Sequence, residues 1–532
     1  MLLRDWISKK ILSIVGLSKF DSNEKERLTL INDKQQIVLQ KIEEANVWYE
    51  GDSDELLNYY TRATHIDWNY EPWYSRNKRG YFWSISSTES DIKRTHSGQP
   101  RNIIDTFVNL VDVPQVFAGN KEIENNQVLT VLRDILDENE FWDMYRNTQL
   151  PMTMVEGWGA YRIDWDREIS DNPIIKYYRA KDCDFIYRDS RLIGMIFKEY
   201  YTDGKFHDYL ICETRYNIKN KLVISKNVFK VDDSDGVYEI YDLPEGLDNI
   251  SLEPQIIDNY RGLLAVPTIL FKDLSNNDGY GRSMYTGKFD LFDDLDQCLS
   301  QSSNTVRRST AIEYFNTDFL ERDKKTGMPK MPKAYDRKYT MIVGGRTADG
   351  AQNTDNPVTV TQPNLQFNEY STEAQAVLVQ MISGIMSPAT LGIDVAKKDN
   401  ADAQREKEKV TIFTRNAIIR GETTILKNLF NAVLEAKEMM SSGQITCHKY
   451  DISIKYSEFA DDSYENKLQS LSQAFINGAI STDMYIEKLY GDTLTESEKK
   501  KEHDWLEQNM EKQSDMGGME NGLGDMFADS GE

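Results

Sequence analysis

The chain is poor in the residues on which site chemistry most often depends. Its five histidines, His65, His96, His207, His448 and His503, are scattered through 532 residues, and its four cysteines, Cys183, Cys212, Cys298 and Cys447, share no paired spacing. Such isolated thiols exclude a disulfide framework and a zinc ligand set, and read as reduced cysteines. No phosphate-cradling GxxxxGK(S/T) loop, no HExxH and no GxSxG occurs, so a nucleotide-driven motor and the hydrolases built on those motifs are removed. No catalytic residue, cofactor or bound metal is expected. No apolar run approaches the roughly 18 residues that a membrane span needs, and MLLRDWISKKILSIVGL at the start lacks the unbroken apolar core and cleavage site of a signal peptide. Positive charge is short as well: 63 Lys and Arg against 87 Asp and Glu leave a net charge of -24. That balance argues against a protein that coats nucleic acid by releasing counterions.

What is present suits a soluble protein of two or three domains: 39% hydrophobic residues, 28% charged residues and a mean hydropathy of -0.60. Near the start, Leu2, Leu3, Trp6, Ile7, Ile11, Ile14 and Val15 recur at helical spacing, which predicts an amphipathic basic helix. Its apolar face is expected to dock on a neighbouring subunit or a partner, with a membrane surface as the alternative. Residues 22–60 and 121–150 carry helical periodicity. From the end of the first segment onward, Trp48, Tyr49, Tyr59, Tyr60, Trp68, Tyr70, Trp73, Tyr74, Tyr81, Phe82 and Trp83 are interleaved with Arg76, Lys78 and Arg79. That mixture predicts a domain core with subunit contacts; stacking on single-stranded bases is the alternative.

Residues 155–272 change to alternating and β-branched runs. Strands are predicted at Ile211 to Tyr216, Leu222 to Ser225, Val237 to Tyr241 and Leu264 to Phe271, with turns at Asp203-Gly204 and Asp235-Gly236. The run DDSDG from Asp232 imitates a calcium loop. Val231 would stand at its first ligand position and Asp242 at its twelfth, where a bidentate Glu belongs, so a hairpin turn is predicted instead.

A helix is predicted from Tyr285 to Thr310. Phe292, Leu295, Leu299 and Val306 form its apolar line, and Asp290, Asp293, Asp294 and Asp296 crowd its first turns, where the helix dipole favours negative charge. Arg307 and Arg308 stand at the opposite end. Read as metal ligands, the four carboxylates would suggest a nuclease, but no histidine is close in sequence. A second helix, about Tyr370 to Met386, is expected to bury Ala374, Val377, Leu378, Met381 and Ile385. The insert from Ala311 to Pro363 is short for an independent core and long for a turn, so a small domain completed by copies of itself is expected. Lys324, Lys325, Lys330, Lys333 and Lys338 make it locally basic. They suit contact with DNA, contact with acidic partners or a solvated surface.

The stretch GIMSPATLGIDVAKKDNADAQREKEKV, Gly384 to Val410, reads as a helix stopped before Pro388, a loop with adjacent lysines, and a new helix capped by Asn400 or Asp402. From Ala401 to Met440 a long helical pattern places Val410, Phe413, Ala417, Leu426, Leu429, Val433 and Ala436 on or near one face, with a kink predicted at Gly421. Alternating charges at Arg405, Glu406, Lys407, Glu408 and Lys409 open it. Strands are predicted from Ile445 to Phe459 and helices from about Asp461 to Gln508. The tail from Glu511 has the composition of a disordered segment.

In this form the 384–410 stretch resembles the tunnel-loop region of the portal proteins of tailed bacteriophages, specifically the siphophage portals of Gram-positive hosts. WYEGD at Trp48 to Asp52, HSGQPRNIIDTFVNLV at His96 to Val111, and the helix, insert and helix from Tyr285 to Met386 extend the resemblance over most of the chain. It implies an α+β ring subunit. The implied parts are an N-terminal helical arm (1–45), a wing (46–284), a first stem helix (285–310), a clip (311–365), a second stem helix (366–387), a tunnel loop (388–402), a long wing helix with strands (403–460), crown helices (461–510) and a tail (511–532). Phe292, Leu295, Leu299, Arg307, Arg308, Val377 and Met381 fall in the implied stem. Leu391, Ile393 and Val395 of the loop would pack between neighbouring loops while Lys397 and Lys398 reach phosphates without reading bases.

The function so implied is a dodecameric ring at one capsid vertex, the channel for genome packaging and ejection. Its partners would be double-stranded DNA in transit, the terminase large subunit, a head-completion or adaptor protein at the clip lysines, and the major capsid and scaffolding proteins, with no membrane. It would assemble in the host cytoplasm and reside in the virion. An acidic chain fits such a conduit, whose walls repel phosphates so that DNA slides. A capsid scaffold or adaptor without a channel, or a metal-dependent nuclease, are the alternatives.

Overall fold

The computed structural model describes residues 2–16, 27–29, 33–64, 80–85, 92–118, 122–203, 207–231, 236–244, 246–247, 250–272, 279–308, 312–316, 322–328, 338–342, 358–361, 367–392, 401–442, 450–457, 468, 471–475, 479–490 and 499–506. Among these, helix and sheet are mixed in an α+β arrangement. The strands are β1 (Leu28–Thr29), β2 (Gln115–Ala118), β3 (Trp158–Asp164), β4 (Ile174–Arg179), β5 (Cys183–Arg188), β6 (Arg191–Thr202), β7 (Asp208–Ile218) and β8 (Lys221–Val231). They continue as β9 (Gly236–Ile240), β10 (Gln255–Ile257), β11 (Ala265–Ile269), β12 (Ile312–Asn316), β13 (Lys338–Ile342), β14 (Val358–Thr361) and β15 (Ile452–Lys455). A large antiparallel sheet runs β1-β9-β8-β7-β6-β5, with β10 also paired to β8. Smaller sheets run β11-β3-β4, β13-β12-β14 and β15-β2. Contacts divide the chain into two units, Met1–Ser457 and Glu458–Glu532.

The strands expected at 211–216, 222–225, 237–241 and 264–271 fall on β7, the first half of β8, β9 and β11, with the third and fourth running past the observed ends. β8 and β9 pair antiparallel, with Val231 opposite Val237, so the acidic run between them joins the two strands of a hairpin. Residues 232–235 themselves lie outside the described set.

The N-terminal helix (Leu3–Ile14) has the amphipathic face that its sequence predicts, but the face is covered by its own chain. Leu3, Trp6, Ile7 and Ile11 are buried against Leu210, Phe229 and Val237 of the large sheet. Trp6 meets Phe229 edge-on at 5.7 Å between ring centres, and Lys10 pairs with Glu239 and donates to Asn227 Oδ1 at 3.0 Å. The expectation of docking on a neighbour or a membrane surface is therefore corrected: a stripe of this width needs only one apolar partner, and the sheet provides it. Among the described residues no helix is long and apolar enough to cross a membrane.

Two sheets meet over a buried arginine. Arg215 of β7 donates to the carbonyls of Ile163, at 2.7 Å, and Leu264, and pairs with Glu213 and Asp164. Arg162 of β3 bonds Asp164 at 2.8 Å and lies 3.2 Å from Glu199. Buried guanidinium groups survive here because every fork finds carboxylate or carbonyl oxygen.

The main core of the first unit gathers helices. Trp48 comes from the helix Asp33–Glu50, Tyr60 from Ser53–Thr64, Phe107 from Gln99–Val111, and Phe292, Met381, Leu426 and Phe430 from helices later in the chain. Of the aromatic run, Trp48, Tyr60, Tyr81, Phe82 and Trp83 are core residues, which is the core reading; 65–79, with Arg76, Lys78 and Arg79, lie outside the described residues. The long helix spans Ala401–Ser442, 42 residues, or about 63 Å. It continues through Gly421, where a Cβ would lie 2.8 Å from Leu270 Cδ2. The glycine predicted as a kink thus marks a close approach to the end of β11. Arg415 fastens this helix to the end of helix Gln99–Val111 by donating to Leu110 O at 2.7 Å.

Where strands were expected from Ile445 to Phe459, the described pairing is β15 with β2. Cys183, Cys212 and Cys298 are buried free thiols; Cys447 lies outside the described residues. In the second unit, helix Thr482–Tyr490 buries Ile486 and Leu489, and Phe475 stacks on Tyr485 at 4.7 Å.

Candidate functional site

The helix predicted over 285–310 occupies Phe289–Arg308, and its partner occupies Phe367–Ile382. Lys288, at the foot of the first, donates from Nζ to the carbonyls of Gln380 at 3.2 Å and Ser383 at 2.9 Å. The start of one helix therefore meets the end of the other, and the pair forms a hairpin. Lys288 also satisfies carbonyls that the second helix leaves open at its C-terminus. Between the helices in sequence stands the small sheet, with β12 parallel to β13 and antiparallel to β14.

Phe292, Leu295 and Met381 are buried in the main core, and Leu299 and Val377 are half-buried against it. Phe292 meets Trp48 at 5.5 Å and Tyr285 at 5.2 Å. These residues anchor the hairpin; Val306, expected on the same line, is 50% exposed. Arg307 and Arg308 close the first helix, but their side chains lie outside the described set. From Phe289 to Val306 and from Phe367 to Ile382 the sequence has no Lys or Arg. Solvent meets Asp290, Asp294, Ser303, Glu369, Thr372 and Glu373 instead.

The acidic start of the hairpin does more than match the helix dipole. Only Asp290 lies in the first turn. Asp293 is buried and accepts the backbone N–H groups of Phe82 at 2.7 Å and Trp83 at 3.2 Å. Burial pushes its carboxyl up to about 7, against the pull of those two N–H groups. Asp296, fully buried, accepts from Trp83 Nε1 at 3.1 Å and Ser97 N at 2.8 Å, and its Oδ2 lies 2.7 Å from His96 Nδ1. Ser300 Oγ accepts from Thr95 N at 2.9 Å.

His96 in turn lies 5.6 Å from Trp48, whose Nε1 donates to Tyr60 OH at 2.7 Å; that hydroxyl donates to Glu44. Gly51 adopts φ +69, and a Cβ there would stand 2.9 Å from the His96 ring. WYEGD, the segment from His96 and the first hairpin helix thus converge on one buried cluster. Sequence reasoning reached each segment but missed the roles of Asp293, Asp296 and Trp83, because no local pattern couples them. Among the described residues no three His, Cys, Asp or Glu side chains are grouped to hold a metal.

Beyond the second helix, Pro388–Leu391 forms a short turn pinned by Thr411: Ser387 N donates to its Oγ1 at 2.9 Å, and Thr390 Oγ1 lies 2.7 Å from it. Leu391, expected to project from a loop between neighbours, is half-buried against its own core. Ile393, Val395, Lys397 and Lys398 lie outside the described residues. So do Lys330 and Lys333 and the side chain of Lys338, which opens β13. Lys324 and Lys325 are exposed in a turn where Asp323 Oδ1 accepts Lys325 N at 2.8 Å.

A second polar cluster lies inside the body. Glu422 of the long helix is buried, and its Oε1 accepts Gln149 Nε2 at 3.0 Å. Gln149 ends a π-helical turn, Tyr145–Gln149, and also donates to Thr153 Oγ1 at 3.2 Å. Glu422 Oε2, Gln149 Oε1 and Tyr161 OH are buried without hydrogen-bond partners among the described residues. Burial pushes the Glu422 carboxyl up to about 7, with the Gln149 bond opposing it.

No protein-family model matches the chain, and no curated protein matches it.

Proposed function

We propose that this chain is the portal subunit of a tailed bacteriophage, one copy of a dodecameric ring at a capsid vertex through which the genome is packaged and ejected. The observation that carries the reading is the hairpin. Two helices are rooted in the body by Phe292, Leu295 and Met381, bracket a small three-stranded sheet, and expose an acidic and neutral surface free of lysine and arginine between Phe289 and Val306.

Arranged around an axis, such hairpins would line a hole whose wall does not hold phosphates, so that duplex moves with little friction. In this reading the hairpin is the stem, β12–β14 belong to the clip, 388–402 is the tunnel loop, and the long helix joins the channel wall to the wing. The clip would dock the terminase large subunit and later a head-completion protein, with Lys324, Lys325, Lys330, Lys333 and Lys338 at that surface. Lys397 and Lys398 would touch the backbone of passing double-stranded DNA. Major capsid and scaffolding proteins would hold the ring in the vertex. The carboxylates that a nuclease would use are occupied by N–H donors at Asp293 and Asp296.

Native mass spectrometry of the purified chain with end-on electron micrographs tests the proposal. The expected result is a closed ring of about a dozen copies with a hole that admits duplex DNA. A monomer or dimer under assembly conditions, or a ring without such a hole, overturns it in favour of an adaptor without a channel.

A further inference from the structure

A cavity of about 350 Å³ opens where the foot of the hairpin faces the long helix. Phe271, Met284, Ile385 and Phe413 give it apolar walls, and Arg282 and Lys288 place cations at it. Phe413 is 61% exposed and Val410, one turn earlier, is 39% exposed. Arg282 is exposed, and its guanidinium has no hydrogen-bond or ion-pair partner among the described residues. In a chain of net charge -24, an unpaired cation beside uncovered aromatic surface is out of keeping with its surroundings.

The same hairpin also carries the complementary charge, at Asp290 and Asp294 of its first helix and Glu373 of its second. Asp290 accepts the Tyr81 hydroxyl, whereas Asp294 and Glu373 have no cation among the described residues. Desolvation, then Asp290 and Glu373, push the Asp294 carboxyl up. Burial comes first and the neighbouring like charges add to it.

We propose that the cavity receives a second copy of this chain, whose acidic hairpin edge at Asp294 and Glu373 docks against Arg282 and Lys288 and covers Phe413. The two surfaces differ, so each copy offers one and accepts with the other; such a contact repeats by rotation and closes into a ring. The closure rests on the portal reading, but the pairing rests on the charges and the cavity. Charge complementarity of this kind fixes the register of association and rejects misaligned encounters.

Two charge-reversed proteins test it: Arg282→Glu with Lys288→Glu, and Asp294→Lys with Glu373→Lys. Arg282→Glu alone serves as a further variant, because Lys288 also bonds two carbonyls and its loss disturbs the helix end. Circular dichroism verifies that each is folded, and native mass spectrometry reads assembly. Each reversed protein alone is expected to lose the ring. An equal mixture of the two is expected to regain it with an even copy number, since each altered surface then meets its opposite. A ring retained by every reversed protein, or a mixture no better assembled than its components, overturns the inference and leaves the portal reading standing. A wild-type chain that forms no closed ring overturns both.

Discussion

His96 Nδ1 lies 2.7 Å from Asp296 Oδ2 across 200 positions of sequence, and the same carboxylate accepts Trp83 Nε1 and Ser97 N. One side chain therefore ties two separate segments to the foot of the hairpin. Each donor is drawn out of solvent, so the carboxylate acts as a fixed post for the loops, with its oxygens already engaged.

Asp296→Ala leaves those donors buried and unpaired. The expected loss is about 3–5 kcal/mol of unfolding free energy, read by urea denaturation through tryptophan fluorescence. Asp290→Ala, at an exposed first-turn carboxylate, is expected to cost under about 1 kcal/mol. Equal effects from the two changes would show that the buried cluster does not hold the loops.

Glu422 sets a pH dependence of definite sign. Its folded value of about 7 stands above the ordinary 4.5, so the folded chain holds a proton that the unfolded chain releases between those values. Its contribution is complete below about 4.5, falls as pH rises through the window, and above about 7 leaves a full penalty on the order of 3 kcal/mol. Asp293, also near 7, acts in the same direction. Glu422→Gln keeps the acceptor for Gln149 and removes the ionisation. The variant is expected to be more stable than wild type at pH 8 and to show a flatter stability profile from pH 5 to 8. A parallel profile would place the charge of Glu422 in solvent.

Gly157 and Gly281 meet backbone to backbone. Gly157 has φ +94, and a Cβ there would stand 2.7 Å from the carbonyl carbon of Arg282; one on Gly281 would stand 2.0 Å from Gly157 O. Neither neighbour is a side chain that can turn away. Gly157→Ala is expected to cost about 2 kcal/mol or more, measured by thermal unfolding; on the proposed copy-to-copy contact it also weakens assembly by displacing Arg282. An unchanged Tm would mean that the backbone yields there.

The portal reading makes a prediction at the loop. Lys397→Ala with Lys398→Ala is expected to leave assembly intact and to lower DNA packaging or retention, because each phosphate contact removed weakens grip on the duplex. Packaging at the wild-type level would reject the phosphate role while leaving the ring untouched.

Local pattern made much of this architecture legible. A period of 3.6 marked both hairpin helices and the long helix, and alternation marked β7 to β9 and β11; the second hairpin helix, expected to run to Met386 and stop before Pro388, ends earlier at Ile382, where Gly384 takes φ +78. The N-terminal helix shows where such reading stops. Its apolar stripe was plain in Leu3, Trp6, Ile7 and Ile11, yet the partner was the sheet around Phe229 and not another molecule. Asp293 and Asp296 show the same limit, since helix-start acids and buried acceptors look alike until their donors are known.

The order of residues by itself determined the elements, the acidic balance and the absence of catalytic motifs, because those follow from composition and from spacing within a few turns. Only the tertiary structure decided what covers each apolar face, which carboxylates are buried, and that Arg282 stands at a cavity beside the exposed Phe413. Those outcomes depend on contacts between residues tens to hundreds of positions apart, and periodicity within one segment says nothing about which distant atoms will meet it.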